Sequence, residues 1–231
     1  MPIKQAIILA GGFGTRLQSV VKDIPKPMAP IGRRPFLKFV LDHCLEFGIK
    51  HIILAVGYKY EIIQKHFGQS YRGMQIDYSI EVEALGTGGG ILQAAQQFSE
   101  DNFLVLNGDT LFRVDLLKLA QFYEDRKADL VLALCPMKHF DRYGTVTMDS
   151  NSRIIAFQEK TFQESGNINA GVYVMRKKAL IDSGLKGRFS FEKEFMEAQV
   201  QTLPFYGRVS ADYFIDIGIP TDYQKAAEDL L

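Results

Sequence analysis

Cysteine is scarce: the 231-residue chain has two, Cys44 and Cys135. A secreted scaffold stapled by disulfides needs more. Both are read as reduced thiols, Cys44 in a helix-like run and Cys135 just after a strand-like one. Excess charge is also missing. Basic and acidic residues number 27 each, for a formal net charge of zero, which lends no support to a general affinity for nucleic acid or an anionic membrane. No apolar run reaches membrane-spanning length, and the apolar core of MPIKQAIILAGGFG is too short for a secretory signal. The expectation is a cytoplasmic protein without nucleic-acid or membrane partners, with a homo-oligomer left open. His43, His51, His66 and His139 show no zinc-ligand spacing, and no nucleophile–histidine triad pattern is recognisable. What remains is an ordinary globular composition, with chain enough for one large domain over 1–231.

The first part of the chain alternates. IKQAIIL (3–9), HIILAV (51–56), 75–80, FLVL (103–106) and LVLAL (130–134) read as strands. Helical spacing is found over 36–47, 60–67 and 91–98, and over a stretch capped by Asp115 that runs to about Arg126. The pattern predicts an α/β fold built from βαβ units, a Rossmann-like doubly wound sheet that is mixed but mainly parallel. Near-continuous apolar strands imply cover on both faces. From about Lys138 to Met175 the runs TVTM, IIAFQ and INAGVYVM suggest a small antiparallel section. A helix near 191–200, a strand near 213–217 and a last helix from Pro220 follow.

In open α/β sheets ligands bind beyond the carboxyl ends of the strands. GGFGTR, NGDT and DIG all stand at such ends. Gly11, Gly12 and Gly14 offer bare backbone N–H groups to phosphate oxygens. The loop is neither a Walker A motif nor a complete dinucleotide fingerprint, because no Gly-Lys-Ser/Thr closes it and Leu17 stands at the third glycine. Arg16 supplies a planar fork suited to phosphate. Lys26 is held between Pro25 and Pro27, and that restriction pre-organises it.

GGFGTRL followed by PKPM resembles the opening of the sugar-1-phosphate nucleotidylyltransferases. The likeness continues through LGTGGG (85–90), LNGDT (106–110), RYGTV (142–146), FQEK (157–160), INAGVYV (168–174) and YFIDIGIP (213–220). Within that family the chain is most similar to the D-glycero-D-manno-heptose 1-phosphate guanylyltransferases, a likeness that the FSFEKEF stretch shares. The resemblance implies a GT-A-like fold, with about 1–137 binding the nucleotide. About 138–231 would bind the sugar and supply a second metal ligand.

It also implies a reaction. An oxygen of a sugar 1-phosphate attacks the α-phosphorus of a nucleoside triphosphate, GTP in the closest subgroup, and pyrophosphate leaves. The nucleophile is already anionic, so positioning and charge neutralisation supply the catalysis. By this likeness Arg16 and Lys26 are the catalytic cations. Asp109 and Asp216 hold Mg²⁺ as hard oxygen ligands. Leu9, Gly11, Gly12, Gly14, Thr15, Gly86 and Thr87 line the nucleotide. Gly144, Glu159, Lys160 and Asn169 receive the sugar phosphate. Glu81, or its neighbour Glu83, is placed to read the base, since a carboxylate accepts from both N1–H and the exocyclic amine of guanine. A uridylyl- or cytidylyltransferase for another sugar 1-phosphate, such as N-acetylmuramate 1-phosphate, is the nearest alternative. A metal-dependent glycosyltransferase would carry an Asp-x-Asp motif, which NGDT is not. A non-catalytic nucleotide-sugar-binding subunit would have no use for all five of Arg16, Lys26, Asp109, Lys160 and Asp216.

Overall fold

Residues 3–12, 17, 21, 23–158 and 160–231 are described by the computed structural model. In chain order they form β1 (Gln5–Leu9), a 3-10 turn (Lys26–Met28), β2 (Pro30–Ile31), β3 (Arg34–Pro35), α1 (Phe36–Glu46), β4 (His51–Val56), α2 (Tyr60–Phe67), β5 (Ser70–Tyr71) and β6 (Met74–Ile80). Then come α3 (Gly86–Ala95), β7 (Asn102–Asn107), β8 (Thr110–Phe112), α4 (Leu116–Arg126), β9 (Leu130–Phe140), β10 (Thr145–Met148), β11 (Ile154–Gln158) and β12 (Gln163–Arg176). The chain continues through α5 (Lys177–Asp182), a π-helix (Phe191–Glu197), β13 (Phe205–Val209), β14 (Phe214–Asp216) and α6 (Pro220–Leu230).

The main sheet runs β11-β10-β12-β7-β1-β4-β6-β5, with β9 on β12 and β13 on β9. Strands β7, β1, β4 and β6 are mutually parallel, with Leu9 opposite both Asn107 and Ala55. The chain leaves β1 toward β4 on one side, and later returns to lay β7 on the other. The order therefore reverses at β1, and the crevice beyond Leu9 and Asn107 is the switch point where such sheets bind ligands.

Alternate residues of the parallel strands bury on opposite faces. Ala6, Ile8, Ile52, Leu54, Leu104 and Leu106 enter one core. Ile7, Ile53, Ala55, Phe103 and Val105 enter the other, with α3, α5 and the π-helix. Two dry faces explain why these strands read as unbroken apolar runs.

The mixed, mainly parallel α/β architecture is as expected. Three details differ from the sequence reading. The antiparallel section is continuous with the main sheet, because β12 pairs with β7, β9 and β10. Its strand β9 extends to Phe140, past the apolar run that marked it. Helix α5 and strand β13 gave no clear periodic signal in their short, mixed segments.

A further difference concerns LGTGGG. The sequence reads as a turn ahead of a helix, whereas α3 already begins at Gly86. The glycines are there for packing. A Cβ on Gly89 would lie 2.3 Å from the carbonyl oxygen of Gly187, and one on Gly88 would lie 2.2 Å from the Phe189 ring. The helix thus sits directly against the 187–189 backbone. Helix propensity alone favours Gly89→Ala by about 1 kcal/mol. Overpacking against a backbone oxygen costs roughly 1–3 kcal/mol. Gly89→Ala is therefore expected to lower the urea unfolding midpoint; an equal or higher midpoint would contradict this packing.

Candidate active site

Asp109 lies between β7 and β8, and Asp216 ends β14. These two short strands form an antiparallel ribbon with Asp216 opposite Thr110 and Phe214 opposite Phe112. The Ile217 N–H also donates to the Asp109 carbonyl at 3.1 Å. Two carboxylates remote in sequence are thereby fixed side by side.

Lys26 joins them. Its Nζ is 2.5 Å from Asp109 Oδ2 and 3.4 Å from Asp216 Oδ1. The 3-10 turn anchors the lysine backbone: Pro25 is extended, Pro27 and Met28 are buried, and Met28 N–H donates to Pro25 O at 2.8 Å. The Lys26 side chain keeps only 9% of its surface exposed, so its charge is directed inward. Gly218 leaves room for the group, since a Cβ there would stand 2.9 Å from Asp216 Oδ1.

Burial, then the negative charge of Asp109, raises the pKa of Asp216, and Lys26 opposes the shift. Two carboxylates against one ammonium leave an excess of negative charge. That donor set fits a small, hard divalent cation. Among the described residues no group of three or more His, Cys, Asp or Glu gathers to hold a metal. An ion held by this pair would need substrate oxygens and water for its remaining positions, as Mg²⁺ sites commonly use.

A cavity of about 340 Å³ opens from Asp216 and is lined by Gly144, Lys160 and Asn169 among others. Its size is within the range of small-molecule pockets. Asn169 is fixed at both ends, with Nδ2 donating to the Tyr173 hydroxyl at 2.9 Å and Oδ1 accepting from Gly171 N–H at 3.1 Å. A Cβ at Gly144 would meet the Gln158 carbonyl at 2.8 Å, so glycine lets these two segments close together. Arg142 also lines the cavity and pairs with Asp222 of α6.

A second cavity of about 230 Å³ lies beyond the carboxyl ends of β1, β4 and β6, lined by Gly11, Gly57, Tyr58, Glu81, Val82 and Ala84. Glu81 Oε2 accepts from Leu85 N–H at 3.0 Å. Burial raises its pKa, partly opposed by that N–H. A Cβ on Gly90 would come within 2.7 Å of Glu81 Oε1, so the glycine of α3 clears space for the carboxylate.

The structure thus brings together Lys26, Asp109 and Asp216, places Gly144, Lys160 and Asn169 in one cavity, and places Gly11 with Glu81 in another. Leu9 stands at the end of β1, where its carbonyl accepts from Gly108 N–H at 2.8 Å. Gly12 has open space around it. Gly86 and Thr87 begin α3 and pack on the segment before the π-helix, with Thr87 Oγ1 bonded to Phe191 N–H and Glu192. Gly14, Thr15, Arg16 and Glu159 lie outside the described residues.

Several lining residues escaped the sequence reading. Arg142 and Tyr143 belong to RYGTV, yet only its glycine was assigned. Tyr143 donates to Asp216 Oδ2 at 3.5 Å. Gly57 and Tyr58 directly follow β4, and the strand-end rule applied to HIILAV would have found them.

The nucleotidyl transferase family matches residues 5–231. The chain belongs to this family. It is 51% identical to the D-glycero-alpha-D-manno-heptose 1-phosphate guanylyltransferase of Aneurinibacillus thermoaerophilus, over 98% of each chain. Against the protein of the same name from Campylobacter jejuni subsp. jejuni serotype O:2 it is 48% identical, over 95% of this chain and 96% of that one. The crystal structure of HddC from Yersinia pseudotuberculosis superposes with a TM-score of 0.90 at 37% identity, covering 99% of this chain and 100% of that chain. HddC complexed with GMP-PN gives 0.87 at the same identity and coverage. A nucleotidyl transferase must bring two phosphorylated molecules together, and a molecule with two cavities, one of them opening from the lysine–carboxylate cluster, suits that task. Among the described residues no helix is long and apolar enough to cross a membrane.

The raised pKa of Glu81 has a measurable consequence. Between its ordinary value and its folded value the native state keeps a proton that the unfolded chain has lost, so stability falls as pH rises through that window. Glu81→Gln should flatten this fall, and urea midpoints at several pH values between about 4.5 and 7 would detect it. An unchanged slope would contradict the burial of this carboxylate.

Proposed function

We propose that this chain transfers GMP from GTP to D-glycero-α-D-manno-heptose 1-phosphate, releasing pyrophosphate and forming a GDP-heptose. The names of its full-length relatives support the substrates. The observation that carries the chemistry is Lys26 held between Asp109 and Asp216 at the sheet's switch point, with the larger cavity opening from Asp216. In this reading about 1–137 serves the nucleotide, and about 138–231 serves the sugar and contributes the second carboxylate, within one domain.

The guanine base enters the cavity of Gly11 and Glu81, where the carboxylate accepts from N1–H and the exocyclic amine. Gly12, Gly14, Thr15 and Arg16 attend the phosphates. The sugar 1-phosphate occupies the larger cavity, its phosphate near Lys160 and its hydroxyls near Gly144, Glu159 and Asn169. A phosphate oxygen of the sugar attacks the α-phosphorus, a new P–O bond forms, and the bond to pyrophosphate breaks. No general base is required because the nucleophile is already ionised. Lys26 and Arg16 offset the charge gathering on the departing pyrophosphate. Asp109 and Asp216 would hold Mg²⁺, which supplies further neutralisation of the phosphates when bound. A nucleoside triphosphate donor argues for a cytoplasmic reaction.

A panel of GTP, UTP, CTP and ATP with several sugar 1-phosphates, read by pyrophosphate release, tests this assignment. The highest kcat/KM is expected for GTP with the heptose 1-phosphate, with loss on chelation and recovery on adding Mg²⁺. Preference for UTP or CTP would favour the alternative transferase. No release with any pair would favour a binding subunit. Asp109→Asn should lower turnover roughly 100-fold or more while leaving the folded state intact by circular dichroism; near-normal turnover would reject its role.

A further inference from the structure

Thr87 is on the helix that follows the base-reading segment, yet its hydroxyl is engaged elsewhere. Thr87 Oγ1 donates to Glu192 Oε2 at 2.8 Å and accepts from Phe191 N–H at 2.9 Å. Backbone bonds reinforce the junction: Phe189 N–H donates to Leu85 O at 3.0 Å, and Gly88 N–H donates to Phe189 O at 3.0 Å. Helix α3 is therefore fastened to the start of the π-helix. Helices of this kind are rare and occur frequently at functional sites.

Glu192 lines the larger cavity, together with Asp216 and Lys160. Its Oε2 takes a second hydrogen bond, from Ser190 Oγ at 2.9 Å. Both donors converge on one oxygen, and among the described residues no hydrogen bond reaches Oε1. A carboxylate fixed in this way through one oxygen has the other available to a ligand. It repels phosphate and attracts hydroxyl donors. Arg142, Lys160 and Lys193 also line this cavity, and such cations suit the phosphate. The cavity thus carries groups for a phosphate and a group for hydroxyls, the two chemical parts of a sugar phosphate.

We propose that Glu192 is a specificity-determining residue that accepts hydrogen bonds from hydroxyls of the sugar 1-phosphate, and that Thr87 is its positioning residue. This rests on the assignment of a sugar 1-phosphate to the larger cavity. Thr87 thereby acts on the acceptor substrate although its helix adjoins the nucleotide cavity.

The test is steady-state kinetics of the full chain with GTP and the heptose 1-phosphate. Glu192→Gln is expected to raise the KM for the sugar phosphate about 10-fold or more, the loss expected for a charge-assisted hydrogen bond, with the KM for GTP within about twofold. Thr87→Val should raise the sugar KM in the same direction, and Thr87→Ser, which keeps the hydroxyl, should restore it. In the double variant Thr87→Val should add little to Glu192→Gln, because the two act as one unit. The inference is overturned if Thr87→Val raises the KM for GTP instead, if the two effects add in full, or if Glu192→Gln leaves the sugar KM unchanged. Glu192 is partly exposed, so Glu192→Gln carries the test even where Thr87→Val fails to fold. Wild-type turnover separates the two levels. A wild type active on the sugar phosphate with unmoved variants sinks this inference alone, whereas a wild type inactive on every sugar 1-phosphate sinks the functional reading and this inference with it.

Discussion

The site depends on one lysine shared by two carboxylates. Asp109 and Asp216 repel each other, and burial makes the repulsion costly for Asp216. Lys26 offsets it from a backbone that proline holds on both sides. The pairing of β8 with β14 then prevents the acids from separating. The cluster consequently holds both signs of charge at one place, two carboxylates against one ammonium. A site that must accept several phosphate groups gains from holding both signs of charge in reserve.

Around that cluster the fold divides the labour by topology. The parallel strands β1, β4 and β6 end at the smaller cavity, while β10, β11 and β12 wall the larger one. Arg142 reaches from the loop before β10 to Asp222 on α6, and Thr87 reaches from α3 to the π-helix. The Thr87 contact links the early and late parts of the chain, as the continuous sheet through β12 and β7 does at the level of the backbone.

Much of the fold was legible because the parallel strands bury both faces and so read as apolar runs bounded by glycine. Lys26, Asp109 and Asp216 were legible because each stands in a short motif at a strand end or a restrained turn, where chemistry and backbone constraint coincide. LGTGGG was misread locally: glycines at a helix start usually mark a turn, but here tight packing on Gly187 and Phe189 overrode propensity. That partner lies about a hundred residues downstream and leaves no local trace. Glu192 was likewise hidden. Its neighbours Glu194 and Glu197 have the same residue type, and only the fold distinguishes the carboxylate that receives both hydroxyls. Arg142 and Tyr143 sat inside a recognised motif, but their partners Asp222 and Asp216 come from the last strand and helix.

The ribbon of β8 and β14 has a consequence for the order in which the molecule acquires its chemistry. Lys26 and Asp216 are 190 positions apart. During synthesis the segments of the switch-point crevice and the first acid emerge long before the second, so Asp109 alone is available to match the lysine until the last part of the chain is made. Until then acid and lysine balance one for one. Only when the late strand docks do two acids face one lysine, so the excess of negative charge arrives with completion of the fold.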